Sequence, residues 1–524
     1  MGWGFAVSDF DVAVIGFGPS GAFAANLLGQ TGLRTLVIDK SRDIYPLPRA
    51  IALDHEIMRL FDNIGIAADV QAHTAPFTAS QHFGTQGQLI RRIDMVKPPH
   101  PLGYTPSMVF TQPPVEAILR DKAASWPCVQ VELGSELVSL SQSADQATLV
   151  LRDEAGAERA ITARYVIGCD GASSKVRQQI GVALEDLVFD EPWIVIDAMV
   201  DEAAAARLPQ TSAQYCNPAR PTTYLIGPGL HRRWEIMLLP GEDPKLMGQT
   251  ETVWQLLKPW ITPEDGTLWR AATYRFHALV AADWRKDRVF LAGDSAHQQP
   301  PFIGQGMCQG LRDVANLVWR LEHVLSGRAG EALFDSYGQE RGAHVRRLTG
   351  RIKAIGEMIC ERDPIRAAER DAKVLEQGGG QPLTITRQEI VPGLECGLLD
   401  AQGANAVGTL FPQPRLVSGA LMDSEFGAGW RLVVDARLAA APALADDLRQ
   451  RLGLRVLAIG SHGVAETEGV LAAWFDRNAC QAALVRPDHY VYGVAETLDA
   501  TQALLDRLSS HLGAIPARSS KEFA

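Results

Sequence analysis

A strand of apolar residues, Phe10-Asp-Val-Ala-Val-Ile15, runs into Gly16-Phe-Gly18-Pro19-Ser20-Gly21 and then into the helix-compatible Ala22-Phe-Ala-Ala-Asn-Leu-Leu28. No other feature of the chain restricts its fold as tightly. A second strand, Arg34-Thr-Leu-Val-Ile38, ends on Asp39, 18 residues beyond Gly21. Strand, glycine turn, helix, strand and acid at this spacing make a βαβ unit and so a parallel sheet. The first glycine makes the tight turn, the second lets backbone approach a pyrophosphate, and the third lets helix and strand pack closely. The anion would sit at the helix N-terminus, where unpaired N–H groups and the macrodipole favour negative charge. Gly16, Gly18, Pro19, Ser20 and Gly21 are therefore candidate dinucleotide-binding residues, with Asp39 as acceptor for a ribose diol and Lys40 beside it.

Two further strands end in acids. Ala163-Arg-Tyr-Val-Ile-Gly168 opens into Cys169-Asp170-Gly171-Ala-Ser-Ser-Lys-Val-Arg177, and Val289-Phe-Leu-Ala292 opens into "GDSAHQQPPFIGQG", residues Gly293 to Gly306. Open α/β sheets bind ligands at the carboxyl ends of their strands. Three strand ends thus aim at one cleft.

With these segments in view, the chain resembles the class A flavoprotein aromatic hydroxylases, single-component FAD-dependent monooxygenases. The three signatures stand in family order over about residues 8 to 350. A closer similarity, to the 3-(3-hydroxyphenyl)propionate hydroxylase group and its phenol and resorcinol hydroxylase relatives, rests on "PRAIALDHE", "RRWEIMLLPGED", "GDSAHQQPPFIGQGMCQGLRDVANLVWRL" and a long C-terminal extension.

The resemblance implies that the N-terminal turn and Asp39 bind the ADP half of FAD. Asp170 would lie by the pyrophosphate, and Gly293 and Asp294 would hold the ribityl chain. Pro300-Pro301 would stiffen the loop against the isoalloxazine, because proline fixes φ and removes a donor. Gly304 and Gly306 would let backbone approach the ring, and the helix beginning near Gly306-Met307 would direct its positive end at the pyrimidine edge. Arg49 and Gln112 match family residues that reach the phosphate or ribityl region. Arg177 fits either a cofactor contact or a structural ion pair. His297 is a candidate base, although likeness to the family points to packing and hydrogen bonding.

The reaction so implied is hydroxylation of a phenolic aromatic compound ortho to an existing hydroxyl, with NADH or NADPH and O2, through a flavin hydroperoxide. The substrate would be 3-(3-hydroxyphenyl)propionate or a similar phenolic acid, or else a neutral phenol, a resorcinol or a polycyclic polyketide. Arg220, Arg233 and Arg275 are candidates to pair with a carboxylate; Tyr215, Tyr224 and His277 could contact the phenol oxygen. Pro301 and His297 complete the candidate catalytic set. The halogenase signature Trp-x-Trp-x-Ile-Pro is absent. A dehydrogenase, or an FAD-binding scaffold or sensor without oxygenase activity, are the competing readings.

The expected fold is α/β with several units. A Rossmann-like FAD-binding domain takes residues 1–75, 111–184 and 286–350, and a β-sheet substrate domain is inserted at 76–110 and 185–285. A helical segment follows over 351–376, a glycine-rich linker over 377–384, and a thioredoxin-like domain without a C-x-x-C pair over 385–524. Seven scattered cysteines show no metal-ligand spacing, so no metal is expected. A net charge of -11 without a basic block argues against nucleic acid. The absence of a secretory signal or a long apolar span predicts a cytoplasmic protein with no membrane partner. A homo-oligomer, as a dimer, is expected.

Overall fold

The computed structural model describes residues 8–402, 405–437 and 446–513. Its first sheet is built on Phe10–Ile15, which pairs in parallel with Glu158–Gly168 on one side and Thr35–Asp39 on the other. Val129–Leu133 extends one edge in parallel and Val289–Leu291 the other. All three acid-bearing loops therefore leave the same end of one sheet. The helix Pro19–Thr31 starts with proline in its first turn and closes on Gly32 at φ 76. It packs on the helix Gln112–Ala124 and the turn after it so closely that a Cβ at Gly29 would stand 2.4 Å from the Trp126 ring.

The second sheet has nine strands and is mainly antiparallel. Its spine is two long strands, Leu184–Val200 and Gly266–Ala281, paired along their length. Next in order come His231–Met237, Thr222–Ile226, Ser212–Tyr215, Ser80–Phe83 and Leu89–Asp94. Trp193, Phe276 and Phe302 pack edge-on and stacked beneath this sheet, together with the helix Asp335–Cys360. That helix runs unbroken across residue 350, and the helix Gly306–Leu325 precedes it.

Two of the expected boundaries move. Leu383–Thr386 is a strand paired in parallel with Leu89–Asp94, so the expected linker ends inside the substrate sheet and the expected C-terminal unit begins there. Gly379 and Gly380, both at positive φ, make a tight turn after the helix Pro364–Gln377. Composition alone reads such a turn as a linker. Similarly, Thr74–Pro76 and Ser107–Phe110 pair with each other, and Ala52–Asp54 joins them, in a separate three-stranded sheet.

The C-terminal unit carries a four-stranded sheet in the order Arg455–Ile459, Arg431–Asp435, Ala482–Val485, Val491–Ala495. The first pair is parallel and the others antiparallel. The chain between Arg431–Asp435 and Arg455–Ile459 carries the helix Asp446–Leu452. Buried charge pairs join this unit to the rest: Arg59 to Asp423 at 2.6 Å and Arg486 to Glu340 at 2.7 Å, all fully buried. Among the described residues, no helix is long and apolar enough to cross a membrane.

Candidate active site

The glycine turn divides its work between packing and opening. A Cβ at Gly21 would stand 1.9 Å from the Gly16 carbonyl oxygen, and one at Gly16, where φ is 101, would stand 2.4 Å from that of Cys169. Both positions are closed to any side chain. Gly18 has nothing within 4 Å of a Cβ, so the backbone here faces open space at the start of a helix with no side-chain cap. Asp39 accepts from the Phe17 N–H at 2.7 Å and from the Ser41 N–H at 2.8 Å, which fixes its carboxylate beside the turn. Lys40 is exposed outside it.

Ser20 is where three elements meet. Its side chain occupies the space that a Cβ would need at Gly293, where φ is 66, and at Gly310 on the helix Gly306–Leu325. Gly293 N–H donates to Asp313 at 2.9 Å; His297 and Arg341 contact the same buried carboxylate at 2.8 and 2.9 Å. Burial favours the neutral acid, but His297 and Arg341 hold Asp313 below the usual carboxylate range. His297 also stacks on Trp284 with ring centres 5.6 Å apart. Its geometry is that of a strut which lines the cavity on one side.

Arg177 donates to the carbonyls of Ser295 at 2.8 Å and Ala172 at 2.9 Å, tying the Asp170 loop to the Asp294 loop. It forms neither the expected ion pair nor part of the cavity wall. The Asp170 carboxylate is taken up by the Lys175 and Val176 N–H groups and the Ser174 hydroxyl, so it caps a short helix, and its neighbours Cys169 and Gly171 face the cavity. Gln112 accepts from the Ala50 N–H at 2.7 Å and holds the Arg49 segment at the cavity edge.

These loops surround a cavity of about 430 Å³ that runs from Gly18, Pro19 and Ser20 past Asp294 to the space beneath the second sheet. Asp294 projects into it with its side chain open to the cavity; desolvation by the enclosing walls raises its carboxyl, opposed by His297 and Arg49. Pro301, Gly304, Gly306 and Met307 form the adjoining wall, where the helix Gly306–Leu325 begins without a side-chain cap. An opening at Gly18, a helix start at each end and a carboxylate between them suit an elongated anionic dinucleotide such as FAD.

Beyond Asp294 the wall becomes aromatic and apolar, with Phe77, Ile93, Leu225, Phe276, Phe302 and Ile303. Of the residues expected to meet substrate, Arg233, Arg275 and His277 line this part; Arg220, Tyr215 and Tyr224 do not. Strand parity explains the last two. Thr223 and Leu225 face the cavity, so Tyr224 between them turns to the far face and packs on Trp234 with ring centres 5.5 Å apart. Gln214 faces in, so Tyr215 faces out and stacks on Phe83. Arg220 is paired with Glu242 at 2.6 Å away from the cavity. Arg275 and His277 both meet Asp190, at 2.5 and 3.5 Å, on an exposed rim. Arg233 binds Asp197 at 2.7 Å and the Arg49 carbonyl at 2.9 Å, bracing the sheet against the Arg49 segment.

Two charged cavity residues escaped sequence reasoning. Glu235, 4% exposed on a strand buried throughout, has its carboxyl raised to about 7 by burial, with Arg233 opposing and Asp197 reinforcing. Arg387, on the turn after the edge strand Leu383–Thr386, also lines the cavity. An acid in the fully buried run "RRWEIM" was a legible signal for Glu235. Arg387 stood beside the expected linker and carried none.

Comparison with known proteins agrees with this geometry. The FAD binding domain family matches residues 9–351, and the HcaD C-terminal domain matches residues 408–510. A "Probable NADH-specific resorcinol 4-hydroxylase" of Rhodococcus jostii (strain RHA1) is 33% identical over 523 residues, 97% of this chain and 96% of the relative. A "3-(3-hydroxy-phenyl)propionate/3-hydroxycinnamic acid hydroxylase 2" of Burkholderia vietnamiensis (strain G4 / LMG 22486) is 31% identical over 92% of each chain. The crystal structure of the flavin-dependent monooxygenase PieE with FAD and substrate shares the fold at a TM-score of 0.81 and 22% identity, over 97% of this chain and 100% of that one. Aklavinone-11 hydroxylase does so at 0.79 and 23%, over the same shares. The chain belongs to the FAD-dependent aromatic hydroxylases, flavoprotein monooxygenases with FAD as cofactor.

Proposed function

We propose that this enzyme hydroxylates a phenolic acid ortho to its hydroxyl, 3-(3-hydroxyphenyl)propionate or a close analogue, using O2 and a reduced nicotinamide donor. The name of the Rhodococcus relative favours NADH over NADPH. The observation that carries the reading is the continuity of one cavity from the dinucleotide turn to an aromatic chamber. FAD, when bound, supplies the hydride acceptor and the means of oxygen activation.

This chain's residues do the rest. Gly18, Ser20 and the first turn of Pro19–Thr31 would hold the pyrophosphate, with Gly16 and Gly21 closing the turn behind them and Asp39 taking the ribose. Arg49, Gln112 and Asp294 would position the ribityl chain. Gly304, Gly306 and Met307 would offer backbone N–H groups to the ring system, and Pro301 would stiffen that wall. Phe276, Phe302 and Ile303 keep the reacting end dry, which protects oxygen chemistry from side reactions. Glu235 is the buried acid in the same chamber and is suited to accept a hydrogen bond from the phenol O–H. In the C-terminal unit, the 2-1-3-4 strand order supports a thioredoxin-like scaffold.

Oxygen-electrode traces with purified enzyme, NADH and a panel of phenols test the reading. Substrate-stimulated uptake with a catechol-type product is expected. No stimulation by any phenolic acid or resorcinol would contradict it.

A further inference from the structure

One buried arginine of the cavity wall has no ion-pair partner among the described residues. Arg387 is 5% exposed and lines the chamber. Its Nη2 donates to the Ile303 carbonyl, and its guanidinium lies 4.8 Å over the Phe77 ring. Both neighbours line the chamber too. Among the described residues, no carboxylate stands within ion-pair distance of it. Arg233, Arg312 and Arg341, buried around the same cavity, are each matched: to Asp197, to Asp54 and Glu56, and to Asp313. Asp54, whose charge favours the protonated form of Arg387, already belongs to Arg312 at 2.5 Å.

A buried cation without a partner is strongly unfavourable, and breaking a buried pair is destabilising for the same reason. The guanidinium carries five donors in a planar fork that fits a carboxylate, and the Ile303 carbonyl takes up only part of it. Burial pulls its pKa down to about 10, so it remains a cation at neutral pH. The arginines expected from sequence to meet a substrate carboxylate are otherwise engaged: Arg220 with Glu242, Arg233 with Asp197 and Arg275 with Asp190.

We infer that Arg387 is the anion subsite of the chamber and pairs with the carboxylate of an aromatic acid bound there. The inference rests on the proposed reading of the chamber as the site of a phenolic acid, and it names the residue by which acids are preferred over neutral phenols. The turn after the sheet's edge strand, rather than the sheet itself, would then set specificity.

The test uses the holoenzyme and two probes without a phenol, 3-phenylpropionate and 3-phenylpropionamide, titrated by perturbation of the flavin absorbance. The wild-type enzyme should bind the acid at least about 10-fold tighter than the amide, as a charge-assisted pair implies. Arg387→Met should bring the two within about threefold, and Arg387→Lys should restore part of the difference. Equal affinities in the wild type, no binding of either probe, or a preference that survives in Arg387→Met would overturn the inference. So would loss of FAD from a folded Arg387→Met, which would move the residue to the cofactor. Should Arg387→Met fail to fold, the wild-type comparison and Arg387→Lys decide. An oxygen-uptake panel that fails while acid preference depends on Arg387 would remove the proposed reaction and leave the anion subsite supported.

Discussion

Replacing Glu235 by Gln keeps the shape of the side chain and removes its ionisation. The folded enzyme raises this carboxyl from 4.5 to about 7 because it is buried, with Arg233 only partly compensating. Among the described residues, none donates a hydrogen bond to it. The sign follows from the direction: an acid raised on folding contributes its stability below 4.5 and loses it as pH rises through 7. Above that range the folded chain carries a buried carboxylate that the unfolded chain would hydrate. The interval from 4.5 to about 7, at ~1.36 kcal/mol per pH unit, corresponds to about 3 kcal/mol. Urea unfolding at saturating FAD, followed by tryptophan fluorescence, should show Glu235→Gln close to wild type at pH 4.5. By pH 8.5 the variant should gain about 3 kcal/mol relative to wild type. A difference that is the same at both pH values, or that favours wild type as pH rises, would refute the reasoning.

Asp294→Ala should weaken FAD retention by about 10- to 100-fold, the equivalent of ~1.5 to 3 kcal/mol for a charged hydrogen bond, as measured by equilibrium dialysis; unchanged affinity would remove its ribityl role. Gly18→Val should leave the apo fold and its far-UV circular dichroism intact, because a Cβ there meets nothing within 4 Å, while abolishing FAD binding; Gly21→Val should fail to fold, because its Cβ would lie 1.9 Å from the Gly16 oxygen. Asp423→Asn, which breaks the buried contact with Arg59, should cost about 3 to 5 kcal/mol in urea unfolding. Arg220→Ala removes a partly exposed pair away from the cavity, so KM should stay within about twofold and stability within ~1 kcal/mol.

The parts of the fold and site legible in the chain were those with a local cause. Phe10-Asp-Val-Ala-Val-Ile15 is a strand to the residue, and Gly16, Gly18 and Gly21 stand where a βαβ turn needs them. Strand ends also told which loops converge, because a parallel sheet sends them to one side. What the chain did not disclose was the facing of each strand. Tyr224 and Tyr215 are one residue out of phase with the chamber: Gln214 and Thr223, with Leu225, face it, while the tyrosines pack into an apolar layer on the far side of the sheet, so an aromatic side chain was no guide to the chamber face. Asp170 and Arg177 lie in the expected loop yet serve it by capping and cross-tying, which depends on contacts with Ser174 and Ser295 fixed only by folding. Arg387 enters the chamber because four residues after a glycine turn complete a distant sheet edge.

The cofactor claim meets its most direct test in the absorption spectrum of the purified chain, taken before and after addition of FAD and gel filtration. Binding of one FAD per chain, lost in Gly18→Val and reduced in Asp294→Ala, is the predicted result. A colourless protein that is folded, takes up no FAD and responds to neither substitution would contradict it.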